Sequence, residues 1–242
     1  MAERLPALTF FFPAYNEEES VEAVVREAQQ TLPRFADEFE IVVVDDGSQD
    51  RTGEIADRLA LADPRVRVIH HRPNRGYGGA VRSGLSGARH PYVFFTDGDR
   101  QFRLGDLALL IREIDAVDAV VGYRAKRMDP RRRLVIAWVY KQVIRVLFGG
   151  GFRDVDCAYK LFRTEIFQRA PLAEVRSNGA FFSAELLLRI HAAGLRVRQV
   201  AVPHHPRTAG VAAGAAPKVV LRTLRDMALL RLRLWLRRAG RS

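Results

Sequence analysis

A single cysteine, Cys157, in 242 residues excludes an internal disulfide and any cysteine-rich zinc site. Long apolar runs are also missing: the longest, residues 134–140, falls far short of the ~20 residues that cross a bilayer. The amino terminus does not read as a signal peptide, because the apolar residues 8–13 run straight into Glu17, Glu18 and Glu19. No Gly-x-Gly-x-x-Gly follows the first strand-like segment and no Walker sequence occurs, which sets aside dinucleotide oxidoreductases and P-loop enzymes. Repeats and low-complexity tracts are lacking too. These absences predict a soluble or peripheral protein of a reducing, cytoplasmic compartment.

What is present is ordinary globular material, 48% hydrophobic and 28% charged, with a formal net charge of +11. The charge is lopsided. Residues 1–121 hold 14 basic and 21 acidic side chains, a net −7, whereas residues 122–242 hold 25 basic and 7 acidic, a net +18. A basic surface of that size draws anions: nucleic acid, phosphorylated metabolites or anionic headgroups.

Compact apolar runs at 8–12 and 40–44 read as buried strands, the first stopped by Pro13 and the second by Asp45-Asp46-Gly47-Ser48. Between them residues 18–32 carry Val21, Val24, Val25, Ala28 and Leu32 at helical spacing. The alternation continues with helices over 52–62, 78–88 and 104–114 and strands over 66–70, 92–96 and 119–123. This predicts an α/β fold: a mostly parallel sheet with helices on both faces, and ligands beyond the carboxyl ends of the strands. The second half reads as helices over 134–148 and 184–193, a strand over 197–202, an Ala/Gly-rich loop over 208–217, and a helix over 218–238. That last helix carries a stripe of Leu221, Leu224, Ala228, Leu232 and Trp235.

Asp97-Gly98-Asp99 directly follows the strand at 92–96. Two carboxylates one residue apart at a strand end can converge on one hard cation, and Gln101 offers a further oxygen. Mg²⁺ or Mn²⁺ held this way keeps open positions for substrate phosphates. Taken alone, a simple Asp-Gly turn explains the pair better than a metal site does.

Three further segments accompany it: Pro13-Ala14-Tyr15-Asn16-Glu17 after the first strand, Asp45-Asp46-Gly47-Ser48 after the second, and Asn74-Arg75-Gly76-Tyr77-Gly78-Gly79-Ala80 before a helix. Together with the Asp-x-Asp pair, the set resembles the family-2 inverting glycosyltransferases of the GT-A (Rossmann-like) fold, and within them the dolichol-phosphate mannose synthase and polyprenyl-phosphate glycosyltransferase branch. The resemblance spans roughly residues 7–225. It implies that Pro13, Tyr15 and Glu17 line a nucleotide pocket, that Asp46 hydrogen-bonds the base, and that Asp97, Asp99 and Gln101 hold the metal on the diphosphate of a GDP- or UDP-sugar. Arg124 and Arg131 would grip an acceptor phosphate. A phosphate monoester is already anionic at neutral pH, so it needs cations more than it needs a base. Residues 153–163 resemble the family's Asp-x-x-Ser-Gly-Phe-Arg segment, with Cys157-Ala158 replacing Ser-Gly. Asp154 aligns with the family's acid, to orient the acceptor or act as base, while Asp156 pairs with Arg153 or Lys160 or shares that role. Arg207 and Lys218 match a loop element that counters the donor diphosphate. Glu185 reads as a structural partner, Cys157 as a small buried residue, and His204 and His205 as packing groups.

The expected organisation is one catalytic domain over 1–217, with a nucleotide-sugar half at 1–123 and an acceptor half at 124–217, followed by a basic amphipathic helix over 218–242. That helix and residues 134–148 can lie in a headgroup region, which predicts a peripheral enzyme on the cytoplasmic face of a membrane. Two rivals are a same-fold transferase with a hydroxyl acceptor and a non-catalytic nucleotide- or nucleic-acid-binding protein. The second lacks any nucleic-acid module and leaves Asp97 and Asp99 unexplained.

Overall fold

The computed structural model describes residues 4–125, 131–149, 151–206 and 217–239, the side chains of 131–137, 217, 218, 220 and 234–239 apart. In chain order it runs β1 (Leu5–Ala14), α1 (Val21–Thr31), β2 (Ala36–Asp45), α2 (Thr52–Ala62), β3 (Val66–His70), α3 (Tyr77–Ser86), β4 (Tyr92–Phe95), α4 (Leu107–Ile114), β5 (Ala119–Arg124), α5 (Arg131–Phe148), β6 (Lys160–Arg163), α6 (Ile166–Arg169), α7 (Phe182–Ala192), β7 (Val197–Val202) and α8 (Pro217–Ala239).

The strands form one seven-stranded sheet in the order β3-β2-β1-β4-β6-β5-β7. All neighbours are parallel except β6, which runs antiparallel to both β4 and β5. Parallel strands buried on both faces need apolar residues on both, and β1 supplies them. Phe10 and Phe12 join Val24, Val25, Leu107 and Ile111 on one side, while Phe11 joins Val81, Leu85, Phe182 and Leu187 on the other. Rings stack across strands on both faces, Phe10 on Phe94 at 5.6 Å and Phe11 on Phe95 at 5.1 Å between centroids. Helix α3 lies so close to the sheet that a Cβ on Gly84 would stand 2.2 Å from Phe11 Cδ2.

Four segments depart from the sequence expectation, the first being the short helix α6, which was not expected. The helix expected over 104–114 begins with a 3₁₀ turn at Leu104–Asp106 before α4. Strand β6 was not expected, because Lys160 interrupts its apolar pattern. That lysine is fully buried all the same, its ammonium donating to the Cys157 carbonyl and standing 5.4 Å from the Phe95 ring centroid. On α8 the buried residues are Met227 and Leu230, whereas Leu221, Leu224, Ala228 and Leu232 of the expected stripe are exposed. The side chain of Trp235 and the loop at 208–216 lie outside the described residues.

Candidate active site

The carboxyl ends of β1, β2 and β4 open on the same edge, and the loops after β1 and β2 are laced together. Asn16, in the left-handed region at φ 53°, accepts from Gln49 N–H through its side-chain oxygen and donates its own N–H to Ser48 Oγ. Glu17 N–H donates to Thr52 Oγ1 at 2.8 Å, and Glu18 bridges to Arg51 N–H and to Asp50. The Pro13–Glu17 segment is therefore fixed on the β2 loop. Tyr15 is left exposed and Pro13 half-buried, while the Glu17 carboxylate accepts from Ser20 Oγ at 2.8 Å beside the start of α1.

On β2 the two adjacent carboxylates take the two adjacent histidines at the end of β3. Asp45 Oδ2 meets His70 Nδ1 at 2.9 Å and Asp46 Oδ1 meets His71 Nδ1 at 2.6 Å. Asp45 also accepts from Ser48 N–H, which closes the turn over Gly47 at φ 74°. Burial alone would raise Asp45, but the bonds from Ser48 and His70 outweigh it and hold its carboxyl below the usual range. Asp46 is anchored further by Arg75 N–H on Oδ1 and by Asn74 Nδ2 on its carbonyl.

At the end of β4, Asp97 and Asp99 crowd each other. Burial, with the Asp99 charge next, pushes Asp97 up to about 7, against the Tyr77 hydroxyl, Lys160 and Arg124. Asp97 Oδ1 is buried without a hydrogen-bond partner among the described residues. Gln101 N–H donates to Asp99 Oδ1 and the Gln101 amide Nε2 to the His205 carbonyl, so only its Oε1 is left to reach a cation. Gly98 serves packing here: a Cβ would lie 3.1 Å from Phe12 Cδ2.

Among the described residues no cluster of three or more His, Cys, Asp or Glu side chains forms a full metal cage. A carboxylate with one buried oxygen unpartnered, beside a second carboxylate, nevertheless fits Mg²⁺ or Mn²⁺, which one or two carboxylates hold with substrate phosphates completing the shell. The residues present suit the group, with Asp97 and Asp99 as its holders.

Arg124 and Asp154, expected in separate roles, are brought against each other. Arg124 Nε meets Asp154 Oδ2 at 2.6 Å and its second nitrogen meets Oδ1 at 2.8 Å, both side chains being nearly buried. Burial opposes the arginine's charge, yet the paired carboxylate raises its pKa. Arg153 turns to Tyr123, donating to its hydroxyl at 2.7 Å. Cys157 is buried, with its thiol pushed up to about 12 by desolvation first and by Asp154 next. Glu185 is the structural partner expected: buried on α7, it accepts from Arg176 N–H, from Ser177 N–H and Oγ, and from Arg189. His204 packs edge-on against Phe102 at 5.3 Å. Arg131 opens α5 and Lys218 lies in the first turn of α8, their side chains not described, and Arg207 lies outside the described residues. Sequence reasoning gave Tyr77 no role within its motif, offered Lys160 only as a partner for Asp156 and missed His71, although the His70-His71 tandem at the end of β3 mirrors the Asp45-Asp46 tandem at the end of β2.

An acidic pair at the carboxyl end of β4, on a mixed, mostly parallel α/β sheet, is an arrangement suited to transferases that act on phosphorylated donors, and comparison with known proteins names the family. The profile of glycosyl transferase family 2 matches residues 9–170. Glycosyltransferase AglD of Haloferax volcanii is 36% identical over 81% of this chain, which spans only 32% of that relative's length. Polyprenol monophosphomannose synthase of Mycolicibacterium smegmatis is 34% identical over 82% of this chain and 77% of its own. Glucosyl-3-phosphoglycerate synthase of Mycobacterium tuberculosis, solved with phosphoglyceric acid, superposes with a TM-score of 0.71 at 20% identity, covering 93% of this chain and 80% of that one. The same enzyme has been solved with Mn²⁺, UDP and glucosyl-3-phosphoglycerate, at a TM-score of 0.68 and 18% identity. The chain belongs to glycosyl transferase family 2, and its sheet is the mixed, mostly parallel GT-A-like one.

Proposed function

We propose that the chain transfers a sugar from a nucleotide diphosphate to a polyprenyl phosphate, with residues 1–217 as the catalytic domain. The observation that carries this reading is Asp97, its carboxyl raised beside Asp99 and its buried Oδ1 without a hydrogen-bond partner among the described residues, on the same sheet edge as a β2 loop whose Asp46 is immobilised. Pro13, Tyr15 and Glu17 line the nucleoside end and Asp46 accepts from the base. A divalent cation held by Asp97 and Asp99 supplies charge neutralisation to the leaving diphosphate. Arg207 and Lys218 are assigned to the same diphosphate, and Arg131 to the acceptor phosphate.

The phosphate acceptor is favoured over a hydroxyl by the Arg124–Asp154 pair. Both oxygens of Asp154 already accept from one guanidinium, which makes it a poor proton acceptor. The attacking phosphate oxygen needs none, since it arrives as an anion. Arg124 keeps its carboxylate, and the pair is neutral as a whole, so the cation for the acceptor phosphate is assigned to Arg131. Mannose and glucose are the sugars suggested by the relatives' names. Turnover of radiolabelled nucleotide sugars with polyprenyl phosphate and with free polyprenol tests the reading: product from the phosphate alone supports it, and product from the alcohol alone overturns it.

The same reading places the enzyme on the cytoplasmic face of a membrane. No helix among the described residues is long and apolar enough to cross one. Helix α5 nevertheless exposes Trp138, Val139 and Val146, and α8 exposes Leu221, Leu224 and Leu232, an apolar surface among arginines that suits the headgroup layer. Co-sedimentation with anionic vesicles at low salt is the expected result, and retention in the supernatant counts against it.

A further inference from the structure

We infer that His71 is a positioning residue for base recognition, acting through Asp46; the inference rests on the nucleotide-site reading above. His71 is 1% exposed, in a protein where most polar side chains stay wet. It lies between two partners, Nδ1 at 2.6 Å from Asp46 Oδ1 and Nε2 at 2.8 Å from Ser83 Oγ on α3. A carboxylate only accepts, so Nδ1 carries the proton and donates to Asp46; in the neutral ring Nε2 then accepts from the Ser83 hydroxyl.

The consequence for Asp46 is geometric. Both hydrogen bonds that its carboxylate accepts from described residues, from His71 and from Arg75 N–H, land on Oδ1. Oδ2 is the oxygen left for a ligand, at a fixed angle. Its backbone N–H is tied to the Ala14 carbonyl at the end of β1 and its carbonyl to Asn74, so neither the main chain nor the side chain can turn away. An acceptor fixed in this way selects a base that offers a ring N–H, as uracil and guanine do. Cytosine and adenine present a lone pair at the corresponding ring nitrogen, which a carboxylate repels. His71 thus sets specificity without touching the nucleotide: the Asp46 carboxylate fixes its tautomer, and Ser83 holds the far nitrogen of the ring in place.

The test measures binding of UDP, GDP, CDP and ADP to the full chain with Mn²⁺, for wild type, Asp46→Ala, His71→Leu and His71→Asn, together with donor KM and kcat. Leu keeps the volume and removes the donor, whereas Asn restores an N–H close to the place of Nδ1. For His71→Leu we expect the preferred nucleotide to bind about tenfold more weakly and discrimination against CDP and ADP to fall by a similar factor, since a site built on one hydrogen bond loses selectivity with it. Donor KM rises in parallel while kcat at saturation stays within about twofold, and His71→Asn recovers most of the loss. If His71→Leu does not fold, His71→Gln, whose N–H is displaced toward the place of Nε2, is expected to show the same losses and decides instead. Unchanged affinity and discrimination in the folded Leu or Gln variant, with Asp46→Ala impaired, overturns the role of His71 alone. Absence of any nucleotide binding by wild type overturns the nucleotide-site reading and this inference with it.

Discussion

The two ends of the sheet treat buried carboxylates in opposite ways. At the amino end, Glu40 of β2 sits 7% exposed and every direction is answered: Thr9 Oγ1 at 2.7 Å, Arg89 N–H at 3.0 Å and Arg67 at 3.1 Å. Burial would raise it, but these donors outweigh burial and its pKa is lowered. At the carboxyl end Asp97 is pushed up to about 7 with one oxygen unanswered. The same residue chemistry on the same sheet is a structural tie at one end and a stored liability at the other. Unsatisfied charge persists where a ligand is to answer it.

That contrast is broken most sharply at Asp97. Asp97→Asn is expected to cut turnover by about 10³-fold, the loss of several kcal/mol of charge stabilisation, while raising the melting temperature of the cation-free protein at pH 8 by a few degrees. Removing the raised carboxyl relieves a group that costs stability at any pH above its unfolded value. Paired assays of activity and thermal melting check both halves, and a drop in both would make Asp97 a structural residue like Glu40.

Glu40→Ala supplies the mirror image. It leaves Arg67 and the Thr9 hydroxyl without their shared acceptor, and about 3 kcal/mol of stability should be lost. Activity per folded molecule stays near wild type, as urea titration followed by assay at low denaturant would show.

The smallest effect lies at the carboxyl end too, at His70, the last residue of β3. Burial pulls its pKa down, but the hydrogen bonds to Asp45 and Asp57 outweigh this and the folded value is raised. Its contribution is therefore fully present below an unfolded pKa of about 6.5 and is lost as pH rises through the folded value. With the ring about a third exposed, the step is about 0.5 kcal/mol. Stability measured from pH 6 to 9 should show it in wild type and not in His70→Gln; an identical slope in both would remove the pairing from the account.

Where the chain follows simple periodicity, the sequence reading was sharp: α2, β3 and β7 fall on the expected residues. The Asp97–Asp99 pair and the loop after β1 were legible because they stand directly after apolar strands, where a parallel sheet puts its ligands. Strand β6 was hidden because its buried lysine is satisfied by a backbone carbonyl three residues away, a contact no hydropathy pattern contains. The Arg124–Asp154 pair was hidden for another reason. It joins residues thirty apart through an antiparallel insertion, so each looked free for a separate task. His71 escaped notice because a buried histidine bonded at both nitrogens and a solvated one look alike in sequence.

At the carboxyl end of β4, Asp97 keeps a buried oxygen without a hydrogen-bond partner among the described residues, and with Asp99 it is proposed to hold a cation that carries a nucleotide diphosphate. Calorimetric titration of GDP-, UDP- and other nucleotide sugars, with and without Mn²⁺, into wild type and Asp99→Ala tests it most directly. The account predicts binding of one donor that needs the cation and disappears in the variant. Equal binding with and without Mn²⁺, or in both proteins, would contradict it.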